Sequence, residues 1–191
     1  MSLSALDRPN SYIGRSVPRP NARRLAEGRG QFTDDIKLPR MAHVAFLRSP
    51  YAHARILRID TKAAAQSPGV IRVVTGREMA EVCTPWVGVL AHLKGMKSAP
   101  QYPIAVERAC WQGEAVCAVV ARSRAEAEDA LPLIHVEWQE LPAVTDAAAA
   151  VAPGAKPIHP ELGDNICFQR ELTVGEVDAV FSAADVVIEE T

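Results

Sequence analysis

Aromatic residues, a basic excess and long apolar runs are all scarce in this 191-residue chain. Phe, Trp and Tyr make up only 5% of the residues while hydrophobic residues make up 48%, so a core must be built mainly from Ala, Val, Ile and Leu. The formal net charge of −2 argues against a general nucleic-acid surface, which needs a basic field. No apolar run approaches the roughly 20 residues that span a bilayer, and Met1 to Asn10 lacks the apolar segment of a secretory signal. The sequence therefore predicts a cytoplasmic protein without a membrane span or a nucleic-acid partner.

Several sequence motifs of known catalytic and metal centres are missing as well. Gly28-Arg29-Gly30 lacks the third glycine and the preceding strand of a phosphate-binding loop, and neither G-x-S-x-G nor H-E-x-x-H occurs. No C-x-x-C pair exists, so the sequence contains neither a zinc-binding motif nor an iron–sulfur-binding motif. The four cysteines are Cys83, Cys110, Cys117 and Cys167. Because free thiols in apolar surroundings behave as small hydrophobes, we predict structural cysteines and no metal site.

The histidines and acidic pairs do not assemble into a catalytic pattern. His43 and His53 can meet across a predicted hairpin, but no carboxylate stands at a spacing that would orient either ring. His135 lies within a predicted strand and is interpreted as a hydrogen-bonded structural residue. Asp34-Asp35 falls in a turn-like segment, and Glu189-Glu190 would point to opposite faces of a strand. We therefore assign no catalytic residue, and any cofactor-binding residue remains unknown at this stage.

The chain does contain a basic N-terminal segment. Residues 1–40 are rich in Arg, Pro and Gly, and their prolines break any long helix. Six arginines precede the first acidic pair: Arg8, Arg15, Arg19, Arg23, Arg24 and Arg29. We predict an extended basic arm, which is either solvated or docked on a partner.

Residues 41–146 alternate between strand and helix patterns and are predicted to form the folded core. The strand patterns run over Met41 to Leu47, Ile56 to Asp60, Val70 to Thr75, Glu114 to Ala121 and Ile134 to Trp138. Helix starts are predicted at Thr61, at Thr75 with Glu78, and at Ser123 with Glu126. The nearly continuous apolar run from Glu114 to Ala121 is typical of a strand buried on both faces. Two strand–helix–strand units indicate a right-handed crossover each, and hence an α/β or α+β domain. Of these we predict an α+β fold with a mixed sheet packed on one core.

Two further segments carry less regular patterns. The loop from Pro85 to Pro103 has no clear period, and loops of that length are usually functional or disordered. Residues 147–191 are predicted to be a connecting segment, with a short helix over Val177 to Ala184 and a strand over Asp185 to Thr191. Because the chain stops within that predicted strand, we expect a domain taken from a longer sequence.

The polar run from Arg48 to Asp60, RSPYAHARILRID, interrupts two strand patterns. Taken alone, it can be a binding edge, a subunit contact or a catalytic loop. Other segments follow it or precede it in a recognisable order: Gly28 to Asp35, Pro68-Gly69-Val70, Val73-Val74-Thr75-Gly76, Gln112 to Ala121, Ala125 to Ala130, Val136-Glu137 and Leu141 to Val144. In order and spacing, these segments resemble the N-terminal part of the large subunit of the molybdenum hydroxylases, the xanthine dehydrogenase, aldehyde oxidase and carbon monoxide dehydrogenase family.

The resemblance covers residues 12–191, with small departures. The family usually has Pro and Ala where this chain has Ala115 and Cys117, and these apolar exchanges disturb packing little. The loop from Pro85 to Pro103 is the least family-like stretch. The substrate therefore stays open among a purine, an aldehyde, an N-heterocycle and carbon monoxide.

The resemblance implies the α/β-hammerhead domain of the molybdopterin-binding subunit. In such enzymes a molybdenum–pterin cofactor hydroxylates a carbon centre with oxygen from water, and electrons pass to 2Fe-2S clusters and commonly to FAD. The implied partners are a molybdopterin-binding region or subunit, an iron–sulfur subunit and commonly an FAD subunit. The pterin-holding loops and the catalytic glutamate of the family lie beyond the hammerhead, so this chain alone is expected to bind no cofactor.

Three hypotheses remain open on the sequence. In the first, the chain is the hammerhead portion of a molybdenum hydroxylase large subunit, with a scaffold and subunit-contact role and no activity alone. In the second, it is a separately encoded non-catalytic subunit or binding module that assembles with a molybdopterin-binding partner. In the third, it is a small independent enzyme using His43 and His53. We expect Arg48, His53 and Arg55 to fix the turn by hydrogen bonds or to form a domain contact.

Overall fold

The strands of this protein are short, and every pair of them is antiparallel. The computed structural model describes residues 12–90 and 92–190. The chain divides into two compact units, Met1–Met41 and Ala42–Thr191. The strands are β1 His43–Arg48, β2 Ala54–Asp60, β3 Val70–Thr75, β4 Arg108–Ala109, β5 Ala115–Ala121 and β6 His135–Glu140. The α-helices are α1 Ala22–Ala26, α2 Lys62–Ala65, α3 Gly76–Val82, α4 Arg124–Ala130, α5 Ala147–Ala150 and α6 Val177–Ser182. Short 3-10 turns cover Thr33–Asp35, Leu131–Leu133 and Pro160–Leu162.

The first unit contains a helical turn where the sequence predicts an extended arm. In and just after α1, the Nε of Arg23 donates to the Glu27 carboxylate at 2.7 Å, and Arg29 pairs with the same carboxylate. Ion pairs four residues apart stabilise a helical turn, which accounts for this departure. These two arginines also lower the pKa of Glu27, with Arg23 contributing most. Arg8, which belongs to the predicted arm, lies outside the described residues.

The second unit places its strands in two three-stranded sheets, in the orders β1-β5-β3 and β4-β2-β6. The prediction of one mixed sheet with parallel crossovers is therefore wrong. The physical reason is the path of the helices, because α2 leads from β2 in one sheet to β3 in the other. Likewise, the chain passes through α4 between β5 and β6, which belong to different sheets. A strand–helix–strand pattern predicts a parallel crossover only when both strands enter the same sheet.

The core lies around the central strand β5. Val116, Cys117 and Val119 are completely buried, which confirms that this strand is covered on both faces. Small alanines from α4 and β5 let the helix approach the sheet closely, because they fill little space between the two backbones. Two clusters of buried side chains share the half-buried Leu47, Ile59 and Val136, so the core is continuous as predicted.

Two of the three predicted helix caps are present. The Thr75 hydroxyl accepts from the amide of Glu78 within a complete capping box, and the Ser123 hydroxyl accepts from the amide of Glu126. Thr61 does not cap α2 through its side chain. Asp60 replaces it, since its carboxylate accepts a 3.1 Å hydrogen bond from the Lys62 amide.

Residues 147–190 form the least regular part of the second unit. The helix predicted over Val177 to Ala184 is present as α6, but residues 185–190 form no strand. A strand needs a partner for its backbone hydrogen bonds, and no other described segment pairs with these residues. Val186 and Ile188 are consequently 75% and 79% exposed. Among residues 12–90 and 92–190, no helix is long and apolar enough to cross a membrane.

Candidate functional site

The polar run after β1 is a fixed turn. The Arg48 guanidinium donates to the carbonyl of Gly113 at 2.8 Å, and the Ser49 backbone exchanges hydrogen bonds with Gly113 and Glu114 at 2.9 and 2.8 Å. The Ser49 hydroxyl, which is almost fully buried, donates to the Tyr51 carbonyl and accepts from the Tyr51 amide. These bonds tie the turn to the residues that lead into β5, as expected for Arg48.

His53 also has a structural environment. The residue is 8% exposed, and Nδ1 of its ring lies 2.8 Å from the carbonyl oxygen of Pro142, so Nδ1 donates. Its backbone carbonyl accepts from the Leu141 amide at 2.9 Å. Nε2 is buried and has no hydrogen-bond partner among the described residues. The prediction that His43 and His53 can meet across a hairpin is wrong, because β1 and β2 belong to different sheets.

Close to this turn, the second unit has a cleft of about 520 Å³, which we call the arginine cleft. It is lined by Arg55, Tyr102, Arg108, Trp111, Glu114, His159 and Glu161, among other residues. A groove of about 240 Å³ lies beside it and shares Tyr102, Trp111 and Glu114 with it. The two depressions therefore form one continuous polar and aromatic surface.

Two arginines face each other in the arginine cleft. Arg55 of β2 stands directly opposite Arg108 of β4, and residues opposite each other on neighbouring strands project from the same face. Arg108 lies 4.0 Å from the Glu161 carboxylate. No carboxylate among the described residues pairs with Arg55. Among the described residues, the Arg55 side chain therefore makes no hydrogen bond that fixes the turn.

The remaining titratable groups of the cleft do not form an activated nucleophile. Burial raises the pKa of the Cys110 thiol, so the reactive thiolate is disfavoured at neutral pH. Burial also lowers the pKa of His159, against the opposing effect of the Glu161 carboxylate 3.5 Å away. Both shifts disfavour the thiolate–imidazolium pair of a cysteine enzyme.

Among the residues of the arginine cleft, Glu114 most resembles a general acid or base. Burial raises the pKa of its carboxyl group, which is the usual way of preparing such a group for catalysis. Its oxygen, however, accepts a 2.6 Å hydrogen bond from the Cys110 amide. Glu114 thereby closes the turn between β4 and β5, and this contact favours a structural role.

The loop from Pro85 to Pro103 is anchored rather than free, although it contains neither a helix nor a paired strand among its described residues. Trp86 and Gln101 form an isolated antiparallel bridge within it. The Lys97 ammonium donates to the Asp164 carboxylate at 2.5 Å and to the Leu162 carbonyl at 3.2 Å. The loop is therefore attached to the connecting segment, close to the residues that line the cleft.

The described residues show no arrangement for holding a metal ion. No three His, Cys, Asp or Glu side chains come together among residues 12–90 and 92–190. All four cysteines are free, and burial raises the pKa of Cys117 to about 11. His135 is exposed at the start of β6, and its ring has no hydrogen bond there among the described residues, contrary to its interpretation as a hydrogen-bonded residue.

The arginine cleft was not predicted from the sequence. It depends on the pairing of β2 with β4, a strand of two residues that is too short to give a periodic signal. It also depends on Pro160–Leu162, which brings Glu161 near Arg108 from a segment with no clear pattern. No local sequence signal identifies either feature.

Comparisons with known proteins agree with this architecture. Residues 27–142 match the family described as aldehyde oxidase and xanthine dehydrogenase, a/b hammerhead domain. The chain is 35% identical to the nicotine 6-hydroxylase large subunit of Paenarthrobacter nicotinovorans, with 96% of this chain aligned to 23% of that protein. It is 33% identical to the carbon monoxide dehydrogenase large chain of Afipia carboxidovorans, with 86% of this chain aligned to 21% of that protein.

Solved structures give the same result. Quinoline 2-oxidoreductase from Pseudomonas putida 86 superposes with a TM-score of 0.81 at 40% identity, covering 92% of this chain and 22% of that one. The chain thus spans only 21–23% of the length of these relatives. The hammerhead fold and the resemblance inferred from the sequence are confirmed. The chain therefore belongs to the aldehyde oxidase and xanthine dehydrogenase family of molybdenum hydroxylase large subunits, and it carries the α/β-hammerhead domain of that family.

Proposed function

We propose that this chain is the hammerhead portion of a molybdenum hydroxylase large subunit, with a scaffold and subunit-contact role and no activity alone. The observation that carries the proposal is the match of residues 27–142 to a hammerhead domain, in a chain that spans 21–23% of its relatives. The parent enzyme would be an oxidoreductase that hydroxylates a carbon centre with oxygen from water. Burial raises the pKa of the Cys110 thiol and lowers the pKa of His159, and both shifts support a non-catalytic role for the arginine cleft.

The cofactors of the parent enzyme are proposed to lie outside this chain. These cofactors are a molybdopterin-type molybdenum centre, 2Fe-2S clusters and commonly FAD. The described residues do not fit a metal ion or an iron–sulfur cluster, because no three potential ligands converge. Cys117 is packed in the core and Cys167 is exposed, so these two thiols cannot share a cluster. The corresponding partners are a molybdopterin-binding region or subunit, an iron–sulfur subunit and commonly an FAD subunit.

The three segments of the chain are proposed to have different tasks. Residues 41–146 form the hammerhead core, and residues 147–191 lead toward the molybdopterin-binding region. The contact of Lys97 with Asp164 supports this arrangement, because it holds the connecting segment against the core. Asn165 fixes the connecting segment internally, because its side chain accepts from the Ile158 amide and donates to the carbonyls of Ala150 and Lys156.

The basic arm, residues 1–40, is proposed to dock on the iron–sulfur subunit. Exposed charges are screened over about 8–10 Å at physiological ionic strength, so this association should weaken as salt is added. Sedimentation of the purified complex across a salt series measures it. Assembly that does not change with salt would contradict docking through the arginines.

A second candidate is a separately encoded non-catalytic subunit that assembles with a molybdopterin-binding partner. Sequencing the gene beyond Thr191 distinguishes the two. A reading frame that continues into a pterin-binding region supports the first proposal, whereas a stop codon there supports the second. If no pterin-binding region is encoded nearby, both proposals fail. The independent enzyme is not supported, because β1, which contains His43, and β2, which begins just after His53, belong to different sheets and form no hairpin.

A cytoplasmic location is proposed from the cysteines. All four are free, which suits a reducing compartment better than an oxidising one. Cell fractionation followed by immunodetection tests this location. Recovery in a secreted fraction with oxidised cysteines would contradict it.

A further inference from the structure

We propose that Arg55 and Arg108 together bind the carboxylate of an Asp or Glu side chain from a part of the large subunit outside this chain. This inference rests on the proposed function, because it requires the remaining polypeptide of such a subunit. In the bound state, both guanidinium groups would donate hydrogen bonds to one carboxylate. Arginine presents several donors in a rigid fork, which makes it well suited to this contact.

The first argument is the uncompensated charge of Arg55. Its direct neighbours across the sheet are Arg108 on β4 and Gln139 on β6, and neither is acidic. Like charges directly opposite each other on neighbouring strands destabilise a sheet. A third group with negative charge would remove this repulsion.

Arg58, which lies on the same strand as Arg55, differs from it in having acidic partners. Arg58 also projects from β2, but it lies 3.4 Å from the Asp60 carboxylate and 3.7 Å from that of Glu137. Arg58 is thus paired within this unit, whereas Arg55 is not paired by any described residue. The exposed guanidinium of Arg55 therefore needs a partner from elsewhere.

The carboxylates already in the cleft do not fill this role. Glu161 lies 4.0 Å from Arg108, at the limit of an ion pair, and it also contacts His159 at 3.5 Å. Glu114 accepts from the Cys110 amide at 2.6 Å. Glu107 lines the cleft, yet it forms an ion pair with neither arginine. The positive charge of Arg108 is thus only partly neutralised, and no described carboxylate neutralises that of Arg55. One further carboxylate can therefore bind to both.

The surroundings favour a polypeptide over a free anion. Trp111 at the cleft and Phe46 in the adjoining groove are 44% and 42% exposed. Aromatic and arginine side chains close together are typical of the centres of protein interfaces. A small anion would leave both rings in water. A chain that spans 21–23% of its relatives leaves ample polypeptide to cover them.

The test is zero-length cross-linking in the full-length protein, purified with its natural subunits. Arg55→Lys and Arg58→Lys variants are treated with a carbodiimide, which joins a lysine amine to a carboxylate in contact with it. Cross-linked peptides are identified by mass spectrometry, with the wild-type protein as background, since arginine does not react in this way. Both substitutions keep the positive charge at an exposed position, so both variants should fold.

The expected result is a cross-link from the new amine of the Arg55→Lys variant, absent from the wild type, to an Asp or Glu of the large subunit outside residues 1–191. A cross-link to a different subunit would overturn the inference. The Arg58→Lys variant should couple to Asp60 or Glu137, which shows that the reagent works. Coupling of the Arg55→Lys variant only to Glu107 or Glu161, or no coupling at all, would overturn the inference. Protection of Arg55 from phenylglyoxal by inorganic phosphate, without a cross-link, would indicate a free anion and would also overturn it. If the same preparation contains molybdenum and pterin, such failures leave the proposed function standing.

Discussion

Replacing His53 by Ala should destabilise the second unit measurably. The substitution removes the 2.8 Å hydrogen bond from Nδ1 to the Pro142 carbonyl, worth about 1 kcal/mol in the free energy of unfolding. It also vacates a site that is only 8% exposed, which costs about 1–2 kcal/mol more. The total is a loss of about 2–3 kcal/mol. With a urea m value of about 2 kcal/mol per molar, the unfolding midpoint should fall by about 1–1.5 M.

Two comparison variants separate the hydrogen bond from the packing. In His53→Asn, the side-chain amide can still donate toward Pro142, so about 1 kcal/mol of the loss should be recovered. His43→Ala removes a half-buried ring that has no hydrogen bond among the described residues, and it should cost less than about 1 kcal/mol. Urea unfolding followed by circular dichroism measures all three variants. An unchanged midpoint for His53→Ala, or equal losses for His53→Ala and His53→Asn, would refute the reasoning.

Three further predictions concern local features of the second unit. Gly76→Ala should lower the free energy of unfolding by about 1–3 kcal/mol, because an added Cβ would lie 2.0 Å from a backbone carbonyl oxygen; an unchanged melting temperature would contradict this. Ser123→Ala should lower the free energy of unfolding by about 1 kcal/mol because the helix cap is lost, whereas Thr61→Ala should lower it by almost nothing. Equal losses of stability in thermal melts would show that the cap assignment is incorrect. Hydrogen bonds lower the pKa of Glu78 from its usual 4.5, so its stabilising effect is present above pH 4.5 and is lost as the pH falls through the lowered value. Burial raises the pKa of Glu114, so its ionisation penalty grows as the pH rises through the raised value. Glu78→Gln should therefore destabilise most near neutral pH and Glu114→Gln least there; parallel pH profiles in unfolding experiments would exclude both assignments.

The local elements of this fold could be predicted from the sequence because their signals lie within a few residues. The apolar run of β5 indicated burial on both faces, and the pattern of Thr75 with Glu78 indicated a capping box. The assignment of strands to two sheets could not be predicted in the same way. It depends on which sheet the strand after α2 and the strand after α4 join. Packing between distant segments decides this, and local propensity does not.

The candidate site shows the same division. The turn after β1 was identified from its residue types, and the roles expected for Arg48 and His53 as hydrogen-bonding residues are confirmed. The position of Arg55 opposite Arg108 could not be foreseen, because it follows from the register between β2 and a two-residue strand. The positions of the two arginines along the chain do not indicate how distant strands pair with each other.

Metal and pterin analysis tests the central claim most directly. The native protein that contains this sequence and the separately expressed 191-residue chain are analysed side by side for molybdenum, iron and pterin. We predict that the native protein contains molybdenum and pterin in stoichiometric amounts, and that the separate chain, when folded, contains neither of them. Stoichiometric molybdenum or pterin on the separate chain, or a native protein without molybdenum, would contradict the assignment of this chain as the scaffold portion of a molybdenum hydroxylase.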